Sequence, residues 1–365
     1  MNGARQHASF GTVATLVVIA VLVSPSRAAA ETKSVLSPTY KVDRIIRSME
    51  GPQSAQDVTL LAGLPPELVW ITGLRTEMVG ADGKTPALAD FMCHVNLDFD
   101  VAKHRELLES ASSANTRIFT LSQGQSAVRF PKGFGMPVMS NEALSLATQV
   151  LNHNLPDADL EVRHRVTFDF VRDRDLAKSP NALLNASVFG MKLLDGAHGH
   201  FGVGIADEAT HGPGCLPGDS AVPNATVYED ATQQKFTGHW VVKPGREVSH
   251  TNVTRQLNLP FDTTLHYAAV HLHPYAESLE LRDRTTGETV FASRARNHED
   301  RIGLAHVDSF ESEGGVPMFR DHEYELVSTY DNPTASDQDS MAVMLLFLLD
   351  RRFEKPSRAS TAARE

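Results

Sequence analysis

Two histidines, His271 and His273, stand two residues apart in the segment VHLHPY. Successive side chains of a β-strand point to opposite faces, so residues i and i+2 share one face and lie about 7 Å apart. Two imidazoles placed in this way can bind one metal ion. A His-x-His pair can equally be two surface or hydrogen-bonded histidines, so the metal interpretation requires a third ligand.

Met341 is the third ligand that we expect. It opens the apolar segment MAVMLLFLL, directly after a polar loop. A thioether is a soft ligand suited to Cu(I), and two imidazoles with one thioether would hold copper in both redox states and leave room for a small molecule. The alternative role is that of a core methionine, for which the neighbouring Met344 is better suited.

The surroundings of these residues resemble the second domain of the copper type II, ascorbate-dependent monooxygenases, the family of the peptidylglycine and dopamine hydroxylases. A KPGRE turn precedes a strand that ends in His-x-His, and a methionine follows about seventy residues later at the head of an apolar strand. The resemblance implies that His271, His273 and Met341 are catalytic metal ligands. They would hold the copper that binds oxygen and abstracts hydrogen from a substrate C–H bond.

The first half of the chain carries separate matches to the same family. The segment RFPKGFG, followed by LATQVLNHN, resembles the turn and the strand that lead to the last histidine of the family's electron-transfer copper site. That match implies a metal-ligand role for His153. A second match places His94 at the second position of the family's adjacent histidine pair.

Cys93 occupies the first position of that pair, where the family has a histidine. A thiolate could still bind copper together with His94 and His153. Alternatively, Cys93 could form a disulfide with Cys215, the other cysteine of the chain, which is the usual state of a cysteine pair in an oxidising compartment. The residues leave both possibilities open.

The resemblance implies a copper-dependent monooxygenase with two copper sites. It would hydroxylate a C–H bond of an organic small-molecule substrate with O2 and an electron donor, either ascorbate or another one-electron donor. Peptide-processing members hold the substrate carboxylate with polar residues where this chain has Ala269, Val343 and Leu345, so a glycine-extended peptide is not expected. Two other functions are open: a non-catalytic exported copper-binding protein with a decayed electron-transfer site, and a paired jelly-roll module for glycan or protein binding.

The elements that would position these residues are short strands separated by turns, which predicts an all-β chain of two tandem antiparallel jelly-roll-type β-sandwich domains. In the clearest strand, residues 160–170, alternate residues are apolar except for His164, which we expect to be a hydrogen-bonded core histidine. Two segments, residues 41–49 and 141–151, have helical spacing instead. We place the domains at residues 31–178, with the electron-transfer copper site, and 183–352, with the oxygen-binding site.

Residues 1–30 are typical of a signal peptide: an arginine, an apolar run and a small-residue cleavage motif. They predict an exported protein, periplasmic or extracellular, with no stable membrane insertion after cleavage. The formal charge of −11 is spread along the chain with no basic run, which argues against nucleic acid as a partner. The tail at residues 353–365 is predicted to be disordered.

A further histidine group, His198, His200 and His211, lies in a glycine-rich stretch. It could form another metal site or line a substrate cleft. Exposed polar residues are the commoner occurrence in such a loop, and the sequence does not decide between these roles.

Overall fold

The computed structural model describes residues 30–48, 50–61, 65–108, 115–193, 227–229 and 233–356. The predicted signal peptide, Cys215, the three histidines of the glycine-rich stretch and most of the tail lie outside these residues. None of the described helices is long and apolar enough to cross a bilayer.

The first sandwich consists of two sheets whose main strands number four each. The strands of its first sheet, in spatial order, are β1 (Glu31–Leu36), β10 (Leu160–Arg172), β4 (Leu68–Gly80) and β8 (Phe134–Met139), with the short β2 (Tyr40–Val42) on β10 and β7 (Ala127–Arg129) on β4. The strands of its second sheet are β3 (Gln53–Val58), β9 (Leu144–Val150), β5 (Met92–Phe99) and β6 (Arg117–Ser122).

The second sandwich repeats this plan. The strands of its first sheet are β11 (Asn181–Phe189), β23 (Gln338–Leu349), β17 (Thr263–Leu272) and β21 (Phe310–Met318), with β15 (His239–Val242) on β23. The strands of its second sheet are β16 (Gly245–Asn252), β22 (Tyr324–Asn332), β18 (Ala276–Asp283), β19 (Thr289–Asn297) and β20 (Leu304–Val307).

Three short strands form a separate sheet, and the described helices are short. The strands are β12 (Lys192–Leu193), β14 (Lys235–Thr237) and β13 (Val227–Glu229). The helices are α1 (Val101–Leu107) and α2 (Thr254–Leu257), with 3-10 turns at Ala89–Phe91 and Asp173–Asp175.

Both sandwiches have the strand order of a jelly roll. When the eight main strands of each sandwich are counted from one to eight along the chain, both have the orders 1-8-3-6 and 2-7-4-5 in their two sheets. This arrangement interleaves the two ends of the chain segment, as in a pair of Greek keys. The predicted class, all-β with tandem jelly-roll-type sandwiches, is therefore confirmed.

The two predicted helical segments are not helices. Residues 144–150 form strand β9, which hydrogen-bonds on both sides, to β3 and to β5. At residues 41–48, the described part of the other segment, the chain leaves β2 and forms a single bridge, in which the backbones of Ile46 and Asn152 exchange two hydrogen bonds of 2.8 and 2.9 Å. Pairing with neighbouring strands overrides weak helical spacing at both places.

The sandwiches share one apolar core. The odd-numbered residues of β23 from Met341 to Phe347 pack on residues of the first sandwich, while the even-numbered residues pack inside the second sandwich. The ring of Phe347 lies 5.4 Å from that of Phe119 and 4.8 Å from that of Phe130. Strand β23 is therefore buried on both faces, which explains its unbroken apolar sequence.

A polar contact also joins the sandwiches beside this core. The side chain of Asn154 donates to the carbonyl of Ile302 at 2.9 Å and accepts from its N–H at 3.0 Å. Next to it, Arg301 forms an ion pair with Asp90 at 2.6 Å. The loop between β19 and β20 is thereby fixed to the first sandwich.

Candidate metal centre

The predicted ligands of the second sandwich lie on the face of β17 and β23 that packs against the first sandwich. His271 pairs with Val343, and Leu272 pairs with Ala342, so the next step of this register sets His273 beside Met341. On the opposite side of β23, strand β15 pairs His239 with Met341. The methionine therefore stands between two histidines on the same face of the sheet.

Asp339 adds a carboxylate to this group. It precedes Met341 by two residues on β23 and therefore shares its face. Its Oδ2 lies 2.8 Å from Nδ1 of His273 and 3.3 Å from Nε2 of His239. The ligand atoms of these three residues all lie within 4.8 Å of one another, and the described part of the chain contains one such group of His, Cys, Asp or Glu side chains.

The electrostatics of Asp339 keep it ionised. Burial by itself would raise the pKa of this carboxyl, but the charges of His273 and His239, together with the hydrogen bond from His239, outweigh that effect and hold the pKa well below its usual range. A buried anion of this kind requires a cationic partner, and either a shared proton or a bound metal ion can supply it.

His271 is the third imidazole of the group. Its ring centroid lies 5.3 Å from that of His273, and its Nδ1 is buried with no hydrogen-bond partner. Burial, followed by the charges of His273, His94 and Arg117, lowers the pKa of His271 well below its ordinary value. The imidazole is therefore neutral near pH 7, which is the form that binds metals.

Tyr330 fixes the positions of two predicted ligands. This fully buried residue of β22 reaches across the second sandwich, where its hydroxyl donates to the carbonyl of Met341 at 2.5 Å and accepts from the N–H of His273 at 3.3 Å. The hydroxyl bridges β17 and β23 one step beyond their last paired residues. It thereby holds the backbones of His273 and Met341 in place.

The predicted ligands of the first sandwich are arranged differently. His94 is buried, and burial followed by the charge of Arg117 lowers its pKa to about 3. The Cys93 thiol, in an irregular step of the pairing between β5 and β9, donates to the side-chain oxygen of Gln149 at 3.7 Å. Cys93, His94 and His153 are not gathered into a three-ligand group of the kind that the second sandwich contains. The electron-transfer site therefore stays a prediction, as does the disulfide to Cys215, which lies outside the described residues.

His153 lies instead at a cavity between the sandwiches. The cavity has a volume of about 550 Å³, and its lining includes Arg47 and His153 from the first sandwich and Tyr275 and Asp339 from the second. Asp339 is thus both a member of the metal-ligand group and part of the cavity wall. A small molecule in the cavity could reach the group through this carboxylate.

His164 has the role that its position predicts. It is fully buried, and its Nε2 lies 3.1 Å from the carbonyl oxygen of Gln149. Burial lowers its pKa to about 4. His164 is therefore a neutral core histidine.

Sequence reasoning missed two members of the group, His239 and Asp339. His239 begins the predicted strand HWVV, and Asp339 is the second-last residue of the polar stretch before Met341. The available signal was the period of two that places Asp339 on the face of Met341. Nothing local pairs His239 with that face, because the pairing joins residues about one hundred positions apart.

The fold and the site together define a class: a tandem jelly-roll chain with a buried histidine–carboxylate group where the sandwiches meet. No family model and no curated protein matches the sequence.

Among solved structures, the STIV MCP aligns at 8% identity with a TM-score of 0.31 and covers 89% of this chain and 98% of its own. A peptide-N(4)-(N-acetyl-β-D-glucosaminyl) asparagine amidase aligns at 9% identity with a TM-score of 0.32 and covers 89% and 99% of the two chains. Likenesses of this strength carry no argument about activity. The resemblance to the copper monooxygenases stays a hypothesis.

Proposed function

We propose that this chain is an exported copper-dependent monooxygenase that hydroxylates a C–H bond of a small organic molecule, with ascorbate or another one-electron donor. The observation that carries the proposal is the cluster of buried imidazoles at the contact between the sandwiches. His271, His273 and His239 converge there beside Met341, and Nδ1 of His271 has no hydrogen-bond partner. A buried polar atom left unsatisfied costs about 1–3 kcal/mol, and a bound metal ion would remove that cost.

The imidazole nitrogens and the thioether sulfur of this site are ligand atoms that suit copper. Neutral imidazoles bind copper in both of its common oxidation states, and a thioether favours the reduced one. When bound, copper would supply one-electron chemistry and oxygen activation. The protein would hold the His271 imidazole neutral by burial, align His271 and His273 through the β17–β23 register and Tyr330, and admit a small molecule through the cavity at Asp339.

The residues around the ligands indicate what kind of substrate this site would take. Ala269 pairs with Leu345, and Val343 pairs with His271, so three buried apolar side chains continue the ligand face along β17 and β23 where the peptide-processing members have polar anchors. They offer no partner to a substrate carboxylate. We therefore propose a substrate other than a glycine-extended peptide.

The test is copper content combined with turnover. We expect two coppers per chain, X-ray absorption of the reduced protein with a sulfur neighbour at thioether distance, and ascorbate-dependent oxygen uptake in the presence of substrate. His273→Ala should abolish uptake, whereas His250→Ala should not, because His250 is a half-exposed histidine outside the cluster. A chain that binds no copper would contradict the proposal.

A non-catalytic copper-binding protein is the second candidate. Two observations favour it: the Cys93 thiol contacts Gln149, and Cys93, His94 and His153 do not form a compact ligand group. One copper per chain, with no oxygen uptake under any reductant, would select this function.

A further inference from the structure

The ligand group at the start of β23 includes the carboxylate of Asp339. The copper site predicted from His271, His273 and Met341 has no carboxylate. His239, His273 and Asp339 come from three adjacent strand ends: β15, the residue after β17, and β23. His239 and His273 flank β23 from opposite sides, and their ring centroids lie 5.4 Å apart. Two strand spacings would separate these imidazoles by roughly 9–10 Å. The shorter distance shows that the two rings are turned toward each other, on the side of β23 that carries Asp339.

The contact between Asp339 and His273 is not an ordinary hydrogen bond. The two atoms are 2.8 Å apart, but Nδ1 of His273 is buried without a hydrogen bond of acceptable geometry. Two ligand atoms that lie this close without a hydrogen bond between them can both bind one metal ion, and Nε2 of His239 lies 3.3 Å from the same carboxylate oxygen. The arrangement favours a cation bound by these atoms.

The same group faces the cavity. Asp339 lines it together with His153, Gln338 and Tyr275. Water and small ligands could therefore occupy a coordination position that the protein leaves open. Three protein ligands with one open position are the usual arrangement of a catalytic metal site.

We propose that His239, His273 and Asp339 form a binding site for a divalent transition-metal ion, which shares His273 with the copper site predicted from His271 and Met341. Two imidazoles and a carboxylate suit Zn²⁺, Fe²⁺ or Cu²⁺, whereas the thioether of Met341 suits Cu⁺. The inference rests on the proposed function only for the identity of copper as the native metal. The two sets of ligands differ in the metal ion that they would bind. The set with the Asp339 carboxylate favours divalent ions, and the set with the Met341 thioether favours Cu⁺.

The experiment measures the affinities of the metal-stripped full-length chain for Zn²⁺, for Cu²⁺ and, under anaerobic reduction, for Cu⁺, by competition with chromophoric chelators. Asp339→Asn should weaken Zn²⁺ and Cu²⁺ binding at least tenfold and change Cu⁺ binding less than threefold. Met341→Leu should produce the opposite pattern. His239→Gln provides a second test of the divalent site if Asp339→Asn does not fold, as judged by circular dichroism and thermal unfolding.

Asp283→Asn is the matched control. Asp283 is a buried carboxylate in the same sandwich and pairs with a single histidine, His322, at 2.6 Å. We expect its removal to leave Zn²⁺ affinity unchanged. Equal losses in Asp283→Asn and Asp339→Asn, or unchanged Zn²⁺ affinity in both Asp339→Asn and His239→Gln, would overturn the inference.

The failures of the two proposals are distinguishable. If the chain binds Zn²⁺ through Asp339 but shows no ascorbate-dependent oxygen uptake, the divalent site is supported and the monooxygenase function is refuted. If the chain is active with copper but does not bind Zn²⁺ through Asp339, the monooxygenase function is supported and the divalent site is refuted.

Discussion

The two sandwiches have the same strand order but place different side chains at equivalent positions. In each, a short strand pairs with the start of the eighth strand: β2 with β10 in the first sandwich, and β15 with β23 in the second. In the second sandwich this strand supplies His239, which faces the metal-ligand group. In the first it supplies Tyr40, whose hydroxyl hydrogen-bonds to Thr148 at 2.6 Å.

The difference shows that the fold alone does not determine the chemistry. The same jelly-roll position carries a potential metal ligand in one sandwich and a structural hydrogen bond in the other. The eighth strands differ in the same way: β23 supplies Met341 and Asp339 to the candidate site, whereas β10 has Val162 and the core histidine His164. The ligand group therefore belongs to the second sandwich, and the first sandwich covers it.

The largest effect expected is that of breaking the shared core. Phe347→Ala removes a fully buried ring that touches aromatic residues of the first sandwich, and such a change costs about 3–5 kcal/mol. Because each sandwich contains one tryptophan, Trp70 and Trp240, single-tryptophan variants can follow the two sandwiches separately in denaturant. We expect both transitions to shift together. A shift confined to Trp240 would show that the sandwiches unfold independently.

His164 makes the first sandwich sensitive to acid. Its pKa is about 4 in the folded protein against 6.5 in the unfolded chain, so the unfolded state takes up a proton first as the pH falls. The contribution of neutral His164 to the free energy of unfolding is fully present above pH 6.5. It decreases by about 1.4 kcal/mol per pH unit as the pH falls toward 4, and it is constant below that pH. His164→Gln should reduce that slope by about one proton in equilibrium unfolding between pH 6.5 and 4. An unchanged slope would mean that His164 is not buried in its neutral form.

Tyr330 and Tyr324 provide a matched pair that separates stability from metal binding. The Tyr324 hydroxyl also bridges two backbone groups, the N–H and the carbonyl of Phe319, but away from the ligands. Tyr330→Phe and Tyr324→Phe should each cost about 1–3 kcal/mol of unfolding free energy. Only Tyr330→Phe should also weaken copper binding, by about 10–100-fold, because it releases the backbones of His273 and Met341. Equal copper affinities in the two variants would show that Tyr330 does not position the copper ligands.

The smallest effect on stability is expected at Cys93. As a thiol that donates to Gln149, it can be replaced by serine at a cost of about 1 kcal/mol or less, whereas removal of a native disulfide to Cys215 costs about 2–5 kcal/mol. Thiol titration of the unfolded, metal-free chain separates the two states directly. Should Cys93 be a ligand, copper stoichiometry in Cys93→Ser should fall from two to one. An unchanged stoichiometry would remove the main reason to regard the first sandwich as redox-active.

Local periodicity was sufficient for part of the fold and part of the site. The alternation of residues 160–170 predicted β10, and the spacing of His271 and His273 predicted their common face. Both are properties of a single strand, which its own sequence contains. Helical spacing at residues 141–151 was misleading because pairing with two neighbouring strands determines β9.

The missing members of the ligand group depend on register between distant strands. His239 joins the group because β15 pairs with β23, and that pairing joins residues about one hundred positions apart, which no local pattern encodes. Asp339 lies in a polar loop sequence in which an acidic residue is unremarkable by composition. Its burial follows from the cover that the first sandwich provides, which no single segment of the sequence encodes.

The parallel pairing of β8 with β11 has a mechanical consequence. Asn181 and Ala182 pair with Phe134 and Gly135, and the N–H of Asn181 donates to the carbonyl of Gly133 at 2.7 Å. This pairing joins one sheet of each sandwich into a single eleven-stranded sheet. Hinge bending between the sandwiches would have to break these backbone bonds as well as separate the aromatic core. We therefore expect small molecules to reach the candidate ligand group through the existing cavity, without hinge opening between the sandwiches.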